Sequence, residues 1–369
     1  MKVGIVGLPQ VGKTTIFNLL TGARMETSSW GGKEEAHIGV AQVPDPDLDR
    51  LAEIFQPKKV TYATVEYIDV PGLARGEGKA ALEGQARGLT ALLSSLKLTD
   101  ALLHVVRAFE DDSIPHPEGS VDPARDIGLF ELEIIFSDLA IVEKRLERLE
   151  KDLKKGKSSE LELERSLLER FKTSLEQEHP LRALDLTEEE KKRVKGYTFL
   201  SAKPLLLVLN LGDADIAEIS NSVEKFQLQK QAGMKHVGIT AVCGKIEAEI
   251  ASLPPEDAQA FMTDLGLSGS GLTRLIQESY SLLGLISYYT AGKPEVRAWT
   301  IPRGMSAAQA AGVIHSDFEK GFIKAEVVSY QDMVDAGSFP EAKNRGVLRL
   351  EGRDYVVRER DVILFRFNV

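Results

Sequence analysis

The stretch Val3-Gly4-Ile5-Val6-Gly7-Leu8-Pro9-Gln10-Val11-Gly12-Lys13-Thr14-Thr15 decides the fold. Val3 to Val6 is a short β-branched run that reads as a buried strand. It runs straight into Gly7 to Thr14, a G-x-x-x-x-G-K-[ST] pattern. Thr15 to Leu20 then carries apolar residues at helical spacing. Strand, glycine-rich loop and helix together turn the pattern from a string match into a phosphate site. Gly7 and Gly12 let the backbone wrap and approach closely, so that N–H groups of Pro9-flanking Gln10, Val11, Gly12, Lys13, Thr14 and Thr15 face an anion at a helix start. Lys13 is placed for the β and γ phosphates, and the Thr14 hydroxyl for Mg²⁺. A bound ATP or GTP is expected.

Outward from the loop, Thr64 to Val70 is a second strand-like run ending in Asp69-Val70-Pro71-Gly72. This D-x-x-G arrangement offers a carboxylate for the metal and a glycine N–H for a γ-phosphate. Gly76, Gly78, Gly84 and Gly88 follow, as a segment that orders with triphosphate requires. Leu73 stands where many GTPases carry the glutamine that orients attacking water, and leucine has no polar group for that task. A third apolar run, Leu205 to Leu209, reads as a central parallel strand. It leads to Asn210-Leu211-Gly212-Asp213, at the position of the base-reading N-K-x-D, with leucine in place of lysine. Asn210 can bond a purine edge, and Asp213 can accept from guanine. Cys243 and Gly244, after another strand, can close over the base.

The bulk numbers agree with a folded, water-facing chain. Of 369 residues, 43% are hydrophobic and 28% charged, and this length suggests two or three domains. The net charge of −10 argues against non-specific nucleic-acid binding, so any RNA contact needs a local basic patch. One cysteine excludes an intrachain disulfide and fits a reducing cytoplasm. No signal-peptide layout and no membrane-length apolar run is evident. The histidines form no cluster with metal-ligand spacing.

Residues 132–153 carry a heptad seam of Leu132, Ile135, Leu139, Val142, Leu146, Leu149 and Leu153. Gly156 to Ser159 interrupts it, and Leu161, Leu168, Phe171 and Leu175 continue it as far as Pro180. The pattern predicts an antiparallel helical hairpin. Lys144 to Lys157 holds seven basic and three acidic residues, either an RNA-facing tip or a solvated coiled-coil face. From Ile286 the composition shifts to short strands: Val296–Thr300, Ala325–Val328, Val347–Leu350, Tyr355–Val357 and Val362–Phe367. Arg345, Arg349, Arg353, Arg358, Arg360 and Arg366 are only partly offset by neighbouring acids and suggest a binding surface.

With these residues in hand, the chain resembles the Obg-like ATPase family of the YchF type. The likeness runs nearly end to end. It rests on GIVGLPQVGKTT, PDPDLDRLAEIFQPKK from Pro44, HVVRAFEDDSIPHPEGSVDPARDI from His104, RALDLTEEEKK from Arg182 and EVRAWTIP from Glu295. The C-terminal AAGVIHSDFEKGFIKAE and FRFNV complete it. The resemblance implies an α/β P-loop NTPase G domain, a helical insertion and a C-terminal ubiquitin-like TGS domain of β-grasp type. The expected boundaries are 1–130 and 199–285 for the G domain, 131–198 for the insertion and 286–369 for the last domain. It also implies Mg²⁺-dependent hydrolysis with ATP preferred over GTP, and ribosome association. It marks His116 as a candidate aid to hydrolysis, against a solvated loop histidine between Pro115 and Pro117. Departures fall in the first switch, where residues 33–37 read Lys-Glu-Glu-Ala-His without a threonine, in the altered second switch Arg75–Gly88, and at Asp213, where the family has glutamate.

Overall fold

Two six-stranded sheets organise the described part of the chain. The computed structural model describes residues 1–23, 37–70, 93–156, 158–267 and 269–368. Gly72, Leu73, the second switch and residues 33–36 of the first lie outside them. The strands are β1 Lys2–Val6, β2 His37–Gln42, β3 Val60–Thr61, β4 Thr64–Asp69, β5 Ala101–Ala108, β6 Leu205–Leu211, β7 Val237–Val242, β8 Leu285–Ala291, β9 Val296–Pro302, β10 Phe322–Ser329, β11 Arg349–Glu351 and β12 Asp361–Phe367. They belong to two compact units: Met1–Gly39 with Glu66–Leu275, and Val40–Val65 with Ile276–Val369.

The sheet of the first unit runs β2-β4-β1-β5-β6-β7, and β4, β1, β5, β6 and β7 are mutually parallel. Every residue of β5 and β6 is buried, in keeping with their mainly apolar sequence, because a central parallel strand is covered on both faces; His104, Arg107 and Asn210 are the polar exceptions. Because the strands are parallel, their carboxyl ends gather at one edge, where open α/β sheets bind ligands. The register sets who meets there. Ile5 lies opposite Asp69, Val6 opposite His104, Arg107 opposite Asn210, and Asn210 opposite Val242.

The helical hairpin consists of Pro123–Lys155 and Ser159–Glu176. Asp122 caps the first helix by accepting from Arg125 N–H, with Pro123 at the first turn. The pairs Glu143 with Lys172 and Arg145 with Glu164 fix the antiparallel sense. Ile135, Val142, Leu149, Leu168, Phe171 and Leu175 are buried along the seam, as the heptads require. The base is tied by Asp138, fully buried, which accepts from the backbone N–H groups of Leu200 (3.0 Å) and Ser201 (2.7 Å). The hairpin thus begins eight residues before the expected 131, at Pro123. Its basic tip is partly spent internally, since Arg145 forms a bidentate pair with Glu164. Lys144, Arg148, Lys151 and Lys154 remain exposed.

The second unit is a mixed sheet in the order β11-β10-β12-β8-β9-β3. A β8/β9 hairpin leads to the helix Ala307–Ile314, and β12 returns to lie parallel to β8 while antiparallel to β10. This is the strand order of a β-grasp sheet. Ser306 and Gln309 cap the helix reciprocally. Ala307, Ala308, Ala310 and Ala311 let it pack closely on Ile286, Tyr288, Ile363 and Phe365.

Several expectations change here. The segment Val40–Val65 and the residues from Ile276 up to the expected boundary at 285 belong to this unit rather than to the expected G-domain stretches 1–130 and 199–285. The reason is long-range: Asp45, the N-cap of helix Pro46–Phe55, receives the Tyr289 hydroxyl at 3.0 Å, and β3 pairs with β9. Tyr355–Val357 forms only an isolated bridge, Ser306 to Val356, because Asp361 draws the Tyr355 hydroxyl and Arg358 N–H into a turn. The arginine surface is also largely neutralised: Arg345, Arg349, Arg360 and Arg366 each pair with a carboxylate.

Candidate nucleotide-binding site

The phosphate loop is shaped around its own lysine. Gly7 and Gly12 adopt φ of 145° and 96°, in the region that side chains avoid. A Cβ on Gly7 would run into the Val105 carbonyl, and one on Gly12 into the Asn210 amide. Gln10 also has positive φ, 61°. Lys13 donates to the carbonyls of Gly7 (3.1 Å) and Leu8 (2.7 Å). Burial pulls its ammonium down to about 8, opposed in part by the Asp69 carboxylate. The helix Lys13–Thr21 begins after left-handed Gly12 with no side-chain cap, so its first N–H groups are open to an anion. Behind the loop, buried His104 is held neutral, pushed to about 3 by burial and by Lys13. It adds no competing charge.

Asp69 at the end of β4 meets Thr14, whose hydroxyl donates to its Oδ2 at 3.0 Å. Its Oδ1 is buried and has no hydrogen-bond partner among the described residues. Burial raises the carboxyl's pKa, and the Thr14 bond and Lys13 oppose that shift. A buried carboxylate with one free oxygen beside a threonine hydroxyl is a donor set for a hard cation that takes its remaining ligands from phosphate and water. The residues present therefore fit a magnesium ion. Asp69→Asn keeps the shape and removes the charge. We expect wild-type nucleotide affinity to tighten on adding Mg²⁺ and that of the variant to stay flat, with turnover reduced by about 10² or more. A Mg²⁺ dependence in Asp69→Asn as strong as in wild type would exclude this metal assignment.

Asn210 has a role beside the purine contact expected of it. Its Nδ2 donates to the Val11 carbonyl (2.9 Å) and its Oδ1 accepts from Gly244 N–H (3.0 Å). One buried amide thus clamps the phosphate loop to the loop after β7. Leu211, with its side chain buried, is part of the core beneath. Asp213 is paired with Lys245, which holds its carboxyl below the usual range, and Cys243 Sγ lies 3.5 Å from it. Cys243 is itself buried and its thiol is pushed up by that burial. A cleft of about 760 Å³ opens between Gln10, Gly12 and Thr15 on one side and Gly212, Asp213, Gly244 and Lys245 on another. Val11 is buried under the loop and Pro9 stands at its half-buried turn.

The cleft has a wall that the sequence reading missed: Phe109, Glu110, Asp111 and Ile114. The available signal was positional, since these residues follow the carboxyl end of β5, level with the phosphate loop. His116 is a different matter. Its side chain is 3% exposed, so it is not a solvated loop histidine. Nδ1 accepts from Glu118 N–H at 3.1 Å, which leaves the ring proton of the neutral form on Nε2. Nε2 lies 3.2 Å from Asp126 Oδ2, yet neither atom has an aligned hydrogen bond. The contact is close but poorly directed.

Phosphate loop, the Thr14–Asp69 pair and clamp at one edge of a largely parallel sheet define a P-loop nucleoside-triphosphatase of the GTPase-like class. Residues 2–124 match a family described as 50S ribosome-binding GTPase, and residues 285–368 match the YchF-GTPase C-terminal family, described as a protein of unknown function. The chain is 44% identical over its whole length, and that of its relative, to the "Ribosome-binding ATPase YchF" of Bacillus subtilis. It is 42% identical to the protein of the same name in Escherichia coli O157:H7, over 100% of this chain and 99% of the relative. The solved "Schizosaccharomyces pombe YchF GTPase" superposes with a TM-score of 0.84 at 31% identity, over 99% of this chain and 97% of that one. The chain belongs to the YchF family.

Proposed function

We propose that this chain is a Mg²⁺-dependent ATPase whose nucleotide state governs its association with ribosomes. The observation that carries the reading is the 44% identity, end to end, to a relative named a ribosome-binding ATPase. The phosphate loop, with Lys13 already buried against carbonyls, supports the catalytic half. Lys13 exchanges those carbonyls for β and γ phosphate oxygens. Thr14 and Asp69 hold the metal, which offsets phosphate charge when bound. Leu73 orients no water, so turnover without a partner is slow, of order 10⁻⁴ s⁻¹ as in other switch NTPases. His116 assists only after leaving Asp126, which makes hydrolysis conditional. The exposed Lys144, Arg148, Lys151 and Lys154 supply charge for ribosomal RNA. The C-terminal β-grasp unit is read as a TGS domain, and the lone buried cysteine fits a cytoplasmic setting. Among the described residues no helix is long and apolar enough to cross a membrane.

GTP is the second reading, favoured by Asp213, whose half-exposed carboxylate lines the cleft and can accept from guanine. Calorimetric titration separates the two. Mg-ATP should bind at least about tenfold more tightly than Mg-GTP, a difference of ~1.4 kcal/mol. The reverse order would replace ATP by GTP in this proposal. Single-turnover hydrolysis should accelerate on adding ribosomes; an unaffected rate would argue for an adaptor that senses nucleotide without turning it over.

A further inference from the structure

The roles assigned to the nucleotide site leave one buried cation at its border without a task. Arg107, the penultimate residue of β5, is 1% exposed. No carboxylate forms an ion pair with it among the described residues. Its Nε donates to the Phe109 carbonyl at 3.0 Å and its Nη2 to the Asp111 carbonyl at 3.3 Å. The guanidinium carbon lies 4.6 Å from the centroid of the Phe109 ring, within cation–π range. Nη1 is buried with no hydrogen-bond partner among the described residues. A charge kept inside at this cost is retained for what it holds.

What it holds is the loop wall of the cleft. The facing wall is built on a strand end and a helix start, Asn210–Gly212 and Gly244. Residues 109–114 form neither strand nor helix. Their far end is closed on itself, with Ser113 N–H on Asp111 Oδ1 (2.9 Å) and Ile114 N–H on the Asp111 carbonyl (3.1 Å). The near end is gripped by the planar fork of Arg107, which reaches the carbonyls of Phe109 and Asp111 while packing on the Phe109 ring. A lysine ammonium carries the charge without that fork.

We propose that Arg107 is a positioning residue that sets the base end of the cleft through Phe109 and Asp111, and so tunes nucleotide affinity without contributing to the phosphate end. This rests on the nucleotide reading above. The test uses the full chain as wild type, Arg107→Met and Arg107→Lys, titrated with Mg-ATP and, separately, with Mg-tripolyphosphate, which lacks a base. In Arg107→Met, Mg-ATP should weaken about tenfold or more while tripolyphosphate stays within about twofold of wild type, and KM should rise more than kcat falls. Arg107→Lys should fall between, and it carries the test alone if the methionine variant does not fold. Unchanged Mg-ATP affinity in a folded variant overturns the proposal. So does equal weakening of both ligands, which would place the damage in the phosphate loop. A wild type that binds tripolyphosphate but gains nothing from the base removes the nucleotide reading itself, and is distinguished by being seen before any variant is made.

Discussion

Lys13→Ala should abolish detectable Mg-ATP binding and lower kcat/KM by at least about 10³, or ~4 kcal/mol of transition-state stabilisation. Lys13 is buried, and desolvation pulls its pKa from 10.5 to about 8. A lowered lysine pKa means that the folded state disfavours the charged form. The cost to stability is full below about pH 8 and is relieved as pH rises towards 10.5, since the unfolded chain still binds the proton there. A triphosphate reverses this by supplying the missing negative charge, so binding near pH 8.5 should take up a proton. Calorimetry in buffers of different ionisation enthalpy reads that uptake directly. Lys13→Met should abolish it and also raise the Tm of the unliganded protein, because a neutral stem fills the site without the buried charge. Wild-type turnover in Lys13→Ala would remove the phosphate assignment. A methionine variant less stable than wild type would instead refute the claim that Lys13 is held at a cost.

Asn210→Ala has the second-largest expected effect, and it follows from a role the motif alone does not suggest. The amide makes two hydrogen bonds, to the Val11 carbonyl and from Gly244 N–H, in a buried position. Truncation leaves both backbone groups without partners. A loss of about 2–4 kcal/mol in stability is expected from unmade buried hydrogen bonds. Nucleotide affinity should fall by about 10², because Val11 belongs to the phosphate loop. Asn210→Asp is the sharper variant. It still accepts from Gly244 but sets a carboxylate against the Val11 carbonyl, and it should be worse than alanine near neutral pH. Melting curves and Mg-ATP titrations check both. If Asn210→Ala melts and binds as wild type, the clamp is incidental.

The clamp marks where reading residues in order stops being enough. Asn210 was legible as part of a base-reading tetrapeptide because its spacing from the apolar strand is a local pattern. The partners it meets in the structure lie 199 and 34 residues away, and they come together only because β6 pairs with β5 on one side and β7 on the other. Phe109 and Arg107 were passed over for the same reason. Nothing local distinguishes Arg107 from any arginine after an apolar run; its meaning comes from burial and from two carbonyls it reaches in space. His116 likewise changes character once Asp126 is beside it.

Local chemistry did carry a great deal. Gly7 and Gly12 sit at backbone angles other residues avoid, and those glycines are readable without coordinates. The heptads of the hairpin and the capping pair Ser306–Gln309 form as their spacing requires, since helix periodicity and caps span only a few residues. The apolar run Leu205–Leu209 identifies β6 as a central parallel strand by composition alone. The sequence by itself therefore determined the phosphate loop, the hairpin and the family. Only the tertiary structure decided that Val40–Val65 joins the C-terminal unit, that Asn210 is a clamp and that Arg107 holds the cleft wall. Those outcomes rest on contacts between residues far apart in the chain, and such contacts are set by sheet register and burial rather than by any short-range preference.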